Sequence, residues 1–387
     1  MYDKTRYDEI ISREYSGMSG VHFLNTCAVG FPAKSVIEVG QSFFDDYTKM
    51  LLDSGVTNYE PLRSATREKI AALIGGSASE IAFTSSTTQG TAALALSLSL
   101  KPGDNVVIFD LENPSCLLPW LQASRTRGFE LRIVKTEHGV ADAGKLIAAM
   151  DSRTKAAVVS AVEYGSGYRC DLPSISSAIH MYGGILAVDA IQALGRLSIN
   201  VRALGIDFLS CGGFKGIAAG FGIGFIWCSH PLLKRLIPPT IGVQGVESCP
   251  HPPDTYERNT KPTLSSSASV LELGAHNSYG IAVLSAALDV LLELNTSEIE
   301  SHILNLEKDF RYRLNSPWFT PYGHNPERRS GIIAGIYTPA IYNSANEAMR
   351  KSNILLTHSP GYIRCAFSAY SNSSDVEALL DVLNRSL

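Results

Sequence analysis

Short, continuous apolar runs alternate with helically spaced segments through the first two-thirds of this chain. Residues 80–84, 105–109, 131–135, 156–160, 185–188, 208–210 and 222–227 read as strands, and 90–100, 144–150, 173–181 and 200–204 as helices. Strands that are apolar along their whole length are buried on both faces. The alternation therefore predicts an α/β fold, a mostly parallel sheet flanked by helices. After about residue 262 the pattern changes. Long periodic helices are expected over 278–294 and 298–314, short strands near 331–337 and 362–368, and a last helix over 374–387. This predicts a large domain over 21–262 and a smaller α+β domain over 263–387, with residues 1–20 packing against it. The stretch 244–267, rich in Pro and Ser, reads as a long functional or interface loop.

Composition narrows the function classes. The chain has 387 residues, 45% hydrophobic and 18% charged, with a formal net charge of −4. That charge gives no electrostatic reason to bind nucleic acid or an anionic membrane. The first residues are charged and polar, unlike a signal peptide, and the longest apolar stretches, 92–100 and 216–228, are too short or too glycine-rich to span a bilayer. A soluble, cytoplasmic protein is expected. Seven cysteines, an odd number with no C-x-x-C spacing, argue against a disulfide framework or a zinc site and for small buried thiols.

The chemistry concentrates between Gly184 and Trp227. The apolar run 185–188 delivers Asp189 at its carboxyl end, where open α/β sheets place their ligands, and Gln192 follows three residues on. Lys215 stands between Phe214 and Gly216 ahead of an almost uncharged run. A lysine so placed is expected to be buried with a lowered pKa, which suits an amine that forms a Schiff base. Upstream, Phe83-Thr84-Ser85-Ser86-Thr87-Thr88-Gln89-Gly90 ends a strand and opens a helix of small residues. Backbone amides at a helix N-terminus, with threonine hydroxyls, make a phosphate cradle, although Ser and Thr there also serve as plain caps.

Val188-Asp189-Ala190-Ile191-Gln192-Ala193-Leu194-Gly195, then Asp207-Phe208 and Lys215 before a glycine-rich segment, resemble the class V aminotransferase group of fold-type-I pyridoxal-5′-phosphate (PLP) enzymes. That group includes cysteine desulfurases, kynureninases, isopenicillin N epimerase-like proteins and C–S lyases, and the resemblance runs from about Phe23 to the C-terminus. It implies PLP as cofactor, with Lys215 and Asp189 as the catalytic residues. Asp189 would keep the pyridine nitrogen protonated, so that the ring acts as an electron sink. Gln192 would bond the ring's phenolic oxygen, and Lys215 would carry the cofactor and serve as acid and base. Thr87 and Thr88 would hold the phosphate. Arg364, in Gly361-Tyr362-Ile363-Arg364-Cys365, would grip the substrate α-carboxylate through its guanidinium fork, and Asn25 would line the substrate pocket. Outside the resemblance, Asp189 reads equally as a turn carboxylate and Arg364 as an interface ion-pair partner. The resemblance also implies a homodimer with shared active sites acting on an amino acid.

Several positions depart from the group's pattern. Asn113 stands where an aromatic ring or histidine stacks on the cofactor, and Tyr164 where an asparagine lies near the ring oxygen. Phe214 replaces a histidine or tyrosine before the lysine, and Ala275 a partner-subunit threonine. His276 and His358 are pocket candidates, although the ordinary loop histidine is the favoured reading of each. No cysteine occurs between Gly331 and Tyr362, where desulfurases carry the catalytic thiol, and Cys365 should point away from Arg364 along a strand. These features favour a C–S lyase acting by β-elimination on a cysteine S-conjugate in specialised metabolism. Transamination or epimerisation at Cα, decarboxylation-linked deamination of a modified cysteine, and a non-catalytic PLP-binding module remain as alternatives.

Overall fold

The computed structural model describes residues 4–18, 20–247 and 263–386. A two-residue strand, β1 (His22–Phe23), precedes the strands of the main sheet. These are β2 (Ile81–Thr84), β3 (Asn105–Phe109), β4 (Glu130–Val134), β5 (Thr154–Ser160), β6 (Ile185–Asp189), β7 (Phe208–Gly212) and β8 (Gly224–Cys228). Their spatial order is β2-β8-β7-β6-β5-β3-β4. The five strands from β7 to β4 run parallel, and β8 is antiparallel to both its neighbours. The mostly parallel sheet expected from the continuous apolar runs is thus present with one reversed strand. Every residue of β3, β6, β7 and β8 is buried, whereas β4 at the edge keeps exposed positions.

Twelve helices are described. Before the sheet come α1 (Lys4–Tyr15), α2 (Lys34–Ser54) and α3 (Glu60–Ile74). Between strands lie α4 (Thr87–Ser97), α5 (Pro114–Arg127), α6 (Ala143–Ala148), α7 (Leu172–Met181) and α8 (His230–Leu233). The C-terminal part adds α9 (Ser278–Leu294), α10 (Thr296–Arg313), α11 (Tyr342–Lys351) and α12 (Ser373–Leu383). The helix expected over 200–204 is a hydrogen-bonded turn: Asn200 Oδ1 accepts from the amides of Arg202 and Ala203, and Gly205 at φ 62° ends it. Helices α2 and α3 escaped the periodicity reading. Each is closed by a left-handed glycine, Gly55 and Gly75, a helix stop that the sequence does carry.

The remaining strands are β9 (Phe319–Pro321), β10 (Ile332–Tyr337), β11 (Ile354–Leu355), β12 (Thr357–Ser359) and β13 (Tyr362–Ala366). Four of them form an antiparallel sheet, β12-β13-β10-β9. The chain entering from α1 lies against this part first: β1 pairs with β11, and Asn25 bridges Ala366. It then crosses to the main sheet, where the Gly30 amide donates to the Phe214 carbonyl. Residues 22–30 therefore tie the C-terminal sheet to the lysine loop. Most of the stretch 244–267 lies outside the described residues. At its ends are a 3₁₀ turn (Val243–Gly245) and a bridge from Val246 to Leu264. Among the described residues no single helix is long and apolar enough to cross a membrane, and the six described cysteines are free and buried.

Candidate active site

Asp189 is the last residue of β6, 4% exposed, and its Oδ1 accepts from the Ile191 amide at 2.9 Å. Burial lifts its pKa to about 6, against the opposing pull of that amide and of Lys215. Lys215 lies three residues past β7 and is itself buried. Burial lowers its pKa, Asp189 opposes that, and the Arg364 guanidinium adds to it. The backbone crossings here admit no side chain. A Cβ on Gly30 would stand 1.9 Å from the Lys215 carbonyl oxygen, and one on Gly195 would stand 2.3 Å from the Gly216 carbonyl carbon. Gly30 and Gly195, on the two segments that pack against the lysine loop, are what let three segments meet. Gln192 Nε2 donates to the Cys27 carbonyl at 2.9 Å, and its Oε1 is buried without a partner among the described residues.

The expected helix N-terminus is in place, three residues earlier than periodicity suggested. Ser86 caps α4 by accepting from the Gln89 amide, and Gln89 Oε1 accepts from the Ser85 amide at 2.6 Å. The two threonines take different positions. Thr87 Oγ1 accepts from the Gly212 amide at 2.9 Å, and its carbonyl accepts from Ser210 Oγ at 3.0 Å, so it is buried against β7. Thr88 is exposed at the mouth of the helix. Phe214 stacks on Phe221 at 4.8 Å, with Lys215 Nζ 5.7 Å from the Phe214 ring centre.

Arg364, on β13, is 8% exposed. Its Nη1 donates to the Tyr164 carbonyl at 2.6 Å and its Nη2 to Thr357 Oγ1 at 3.2 Å. Thr357 Oγ1 donates onward to Asn25 Oδ1 at 2.8 Å, so Asn25 and Arg364 share one hydrogen-bonded chain. Arg364 Nε is buried with no partner, and no carboxylate pairs with the guanidinium among the described residues. Tyr362, two residues back on the same face of the strand, donates to the Gly165 carbonyl at 2.7 Å. Tyr164, expected beside the ring oxygen, lies with Arg364, its ring centre 6.0 Å from the guanidinium carbon. Asn113, expected over the cofactor, spends Oδ1 on the Ser115 amide as the cap of α5. His276 pairs with Glu272, and His358 contacts Tyr337 Oη.

Sequence reading missed Thr357, which no motif marks, and two further carboxyls. Glu112 accepts from Ser160 N at 2.7 Å and Ser160 Oγ at 2.6 Å. Glu163 is fully buried, with both oxygens unpartnered among the described residues. Burial pushes the pKa of each upward, and the proximity of Asp189 adds to it. Glu112 lies within a segment already singled out for Asn113; its value as a signal is its apolar surroundings in the fold, which sequence spacing does not reveal.

These groups suit PLP. A buried amine lies within electrostatic reach of a buried carboxylate at the carboxyl edge of the sheet, a helix N-terminus presents an exposed threonine, and Gln192 Oε1 and Arg364 Nε have no partner among the described residues. The comparisons agree. The family described as Aminotransferase class-V matches residues 32–379. A probable cysteine desulfurase of Methanothermobacter thermautotrophicus is 28% identical over 375 residues, covering 90% of each chain. A cysteine desulfurase of Dickeya dadantii is 31% identical over 277 residues, 69% of this chain and 64% of that one. The solved structure of the cysteine desulfurase CsdA from Escherichia coli superposes with a TM-score of 0.83 at 21% identity, over 99% of this chain and 98% of the other. The cystine C–S lyase C-DES, in complex with cysteine persulfide, gives 0.84 at 17% identity, over 96% and 99%. The chain belongs to the class V aminotransferase family, as a cysteine desulfurase-like enzyme of the fold-type-I class with PLP as its cofactor.

Proposed function

We propose that this enzyme cleaves the Cβ–S bond of a cysteine S-conjugate by β-elimination, as a C–S lyase. The observation that carries the reading is the lack of an available thiol among the described residues, Cys249 lying outside them. No cysteine lies between Gly331 and Tyr362, and all six described cysteines are buried. Burial raises the pKa of Cys116, Cys170, Cys211, Cys228 and Cys365, so these stay protonated and unreactive. Elimination needs no protein nucleophile. The net reaction converts the conjugate and one water into pyruvate, ammonia and a thiol.

When bound, the cofactor supplies an electron sink for the bond broken at Cα. The chain's own residues do the rest. Arg364, held by Tyr164 O and Thr357, orients the α-carboxylate, with Asn25 fixing Thr357. Lys215, its pKa lowered by burial, moves the Cα proton. Asp189 would keep the pyridine nitrogen of the cofactor protonated, and Gln192 would lie at the ring's edge. Thr88 and the open amides of α4 would hold the phosphate, with Thr87 bracing the turn. Asn113 and Tyr164 act at one remove, through the α5 cap and Arg364. The test is a panel of cysteine S-conjugates assayed for pyruvate and free thiol. Equal release of both, with no persulfide trapped on the protein, is expected. A protein persulfide would make it a desulfurase, and stoichiometric pyridoxamine phosphate a transaminase.

The same reading includes a homodimer. Phe44 (64% exposed) and Leu52 (82%) on α2, with Phe221 (72%) near the lysine loop, flank an apolar cleft of about 540 Å³ lined by Ile37, Phe214, Phe221 and Tyr279. Exposed apolar side chains along α2 and at Phe221, with this cleft between Ile37 and Phe221, support a second copy seated beside the lysine loop.

A further inference from the structure

Arg196 lies four residues beyond Gln192 and is 1% exposed, a buried cation that the proposed chemistry does not use. Its guanidinium is shared among three main-chain carbonyls from three segments. Nε donates to Phe367 O at 3.1 Å, Nη1 to Gln192 O at 3.2 Å and Nη2 to Ser330 O at 3.0 Å. Burial brings its pKa down to about 10, with Glu307 among the groups that oppose the fall. Burying a guanidinium on carbonyls alone is costly, and three well-aligned bonds are what offset it.

The three carbonyls are not arbitrary. Gln192 belongs to the turn that follows Asp189. Phe367 is three residues past Arg364, immediately after β13. Ser330 precedes β10, whose Ala334 stands opposite Arg364 in the antiparallel register. One side chain thus joins the cofactor turn to both strands of the pair that carries Arg364. Gly331 makes room for it: a Cβ there would stand 3.1 Å from Nη2.

We propose that Arg196 is a positioning residue that fixes the spacing between the Asp189–Gln192 turn and the strand of Arg364. It thereby sets where the substrate carboxylate sits relative to Lys215. The inference rests on Arg364 being the carboxylate residue. Lysine keeps the charge but not the planar fork, so Arg196→Lys reaches fewer of the three carbonyls.

The test uses holoenzyme and two probes, L-alanine and ethylamine, the same skeleton with and without the carboxylate. Neither has a leaving group at Cβ, so binding is followed through the cofactor's absorbance without C–S cleavage. In the wild type the carboxylate should tighten binding. In R196K that preference should fall about tenfold, with ethylamine affinity and the spectrum of the unliganded holoenzyme unchanged. In an Arg364→Lys background R196K should have no further effect on the ratio. A wild type that does not distinguish the two amines overturns the reading of Arg364. A wild type that does, with an R196K that keeps the full preference, overturns the role of Arg196. Should R196K fail to accumulate as folded holoenzyme, Arg196→Met replaces the buried cation with an apolar chain of similar length and severs the same three bonds, and the same ratio decides.

Discussion

At Asp189 burial and catalysis pull in opposite directions. An ionised carboxylate is what a protonated pyridine nitrogen needs as partner, yet burial lifts this carboxyl to about 6 in the cofactor-free chain. Its unfolded value is 3.8, so between 3.8 and 6 the folded state binds the proton more tightly. The stability present below 3.8 is therefore lost as pH rises through 6, by roughly 3 kcal/mol at neutral pH. Replacing it with Asn removes that dependence. We expect cofactor-free D189N to gain stability over cofactor-free wild type on going from pH 4 to pH 7, measured as the difference in their denaturant midpoints. A difference that does not change with pH would contradict the burial argument. Asp189 and Lys215 were legible in the sequence because each ends or follows an apolar run and Lys215 is flanked by glycine-rich chain. Glu163 was not, since an acidic residue after a strand normally reaches water, and only the packed loop around it shows that this one does not.

The turn from β2 into α4 shows how one element serves both fold and ligand. Thr87 and Thr88 are indistinguishable by spacing, and the sequence reading assigned both to the phosphate. In the structure Thr87 faces β7 and Thr88 faces out, because successive residues entering a helix point about 100° apart. Two variants separate the roles. Thr87→Val leaves the buried Gly212 amide unpaired and should destabilise the fold by about 1–3 kcal/mol in denaturant unfolding. Thr88→Ala should leave unfolding unchanged and weaken cofactor affinity about tenfold in an equilibrium titration with PLP. The reverse pattern would exchange the two assignments. The strands of the main sheet were legible because burial on both faces leaves nearly unbroken apolar runs. Residues 200–204 were misread because Asn200, a good cap, closes a turn with no room for a helix before Gly205 and β7.

At the scale of the molecule, the site is assembled from both ends of the chain. Residues 22–30 leave β1 on the C-terminal part, pass Asn25 beside Ala366, and pack Gly30 onto the lysine loop. That arrangement joins Asn25 to Thr357 and Arg364 across more than three hundred residues of sequence, with the lysine loop alongside, a distance over which spacing carries no information. The exposed aromatic and aliphatic side chains of α2 and Phe221 predict a native mass of two chains. Light scattering should give that mass, and Phe44→Glu with Leu52→Glu should reduce it to one; a monomeric wild type would contradict the shared-site reading. The account stands first, however, on Lys215 as the residue that carries PLP. The direct measurement is borohydride reduction of the holoenzyme followed by peptide mass analysis, with Lys215→Ala treated in parallel. The account predicts a pyridoxyl group on Lys215 in the wild type, loss of the visible absorption band on reduction, and no label in the variant. A wild type that took up excess PLP without labelling Lys215, or labelled another lysine, would contradict it.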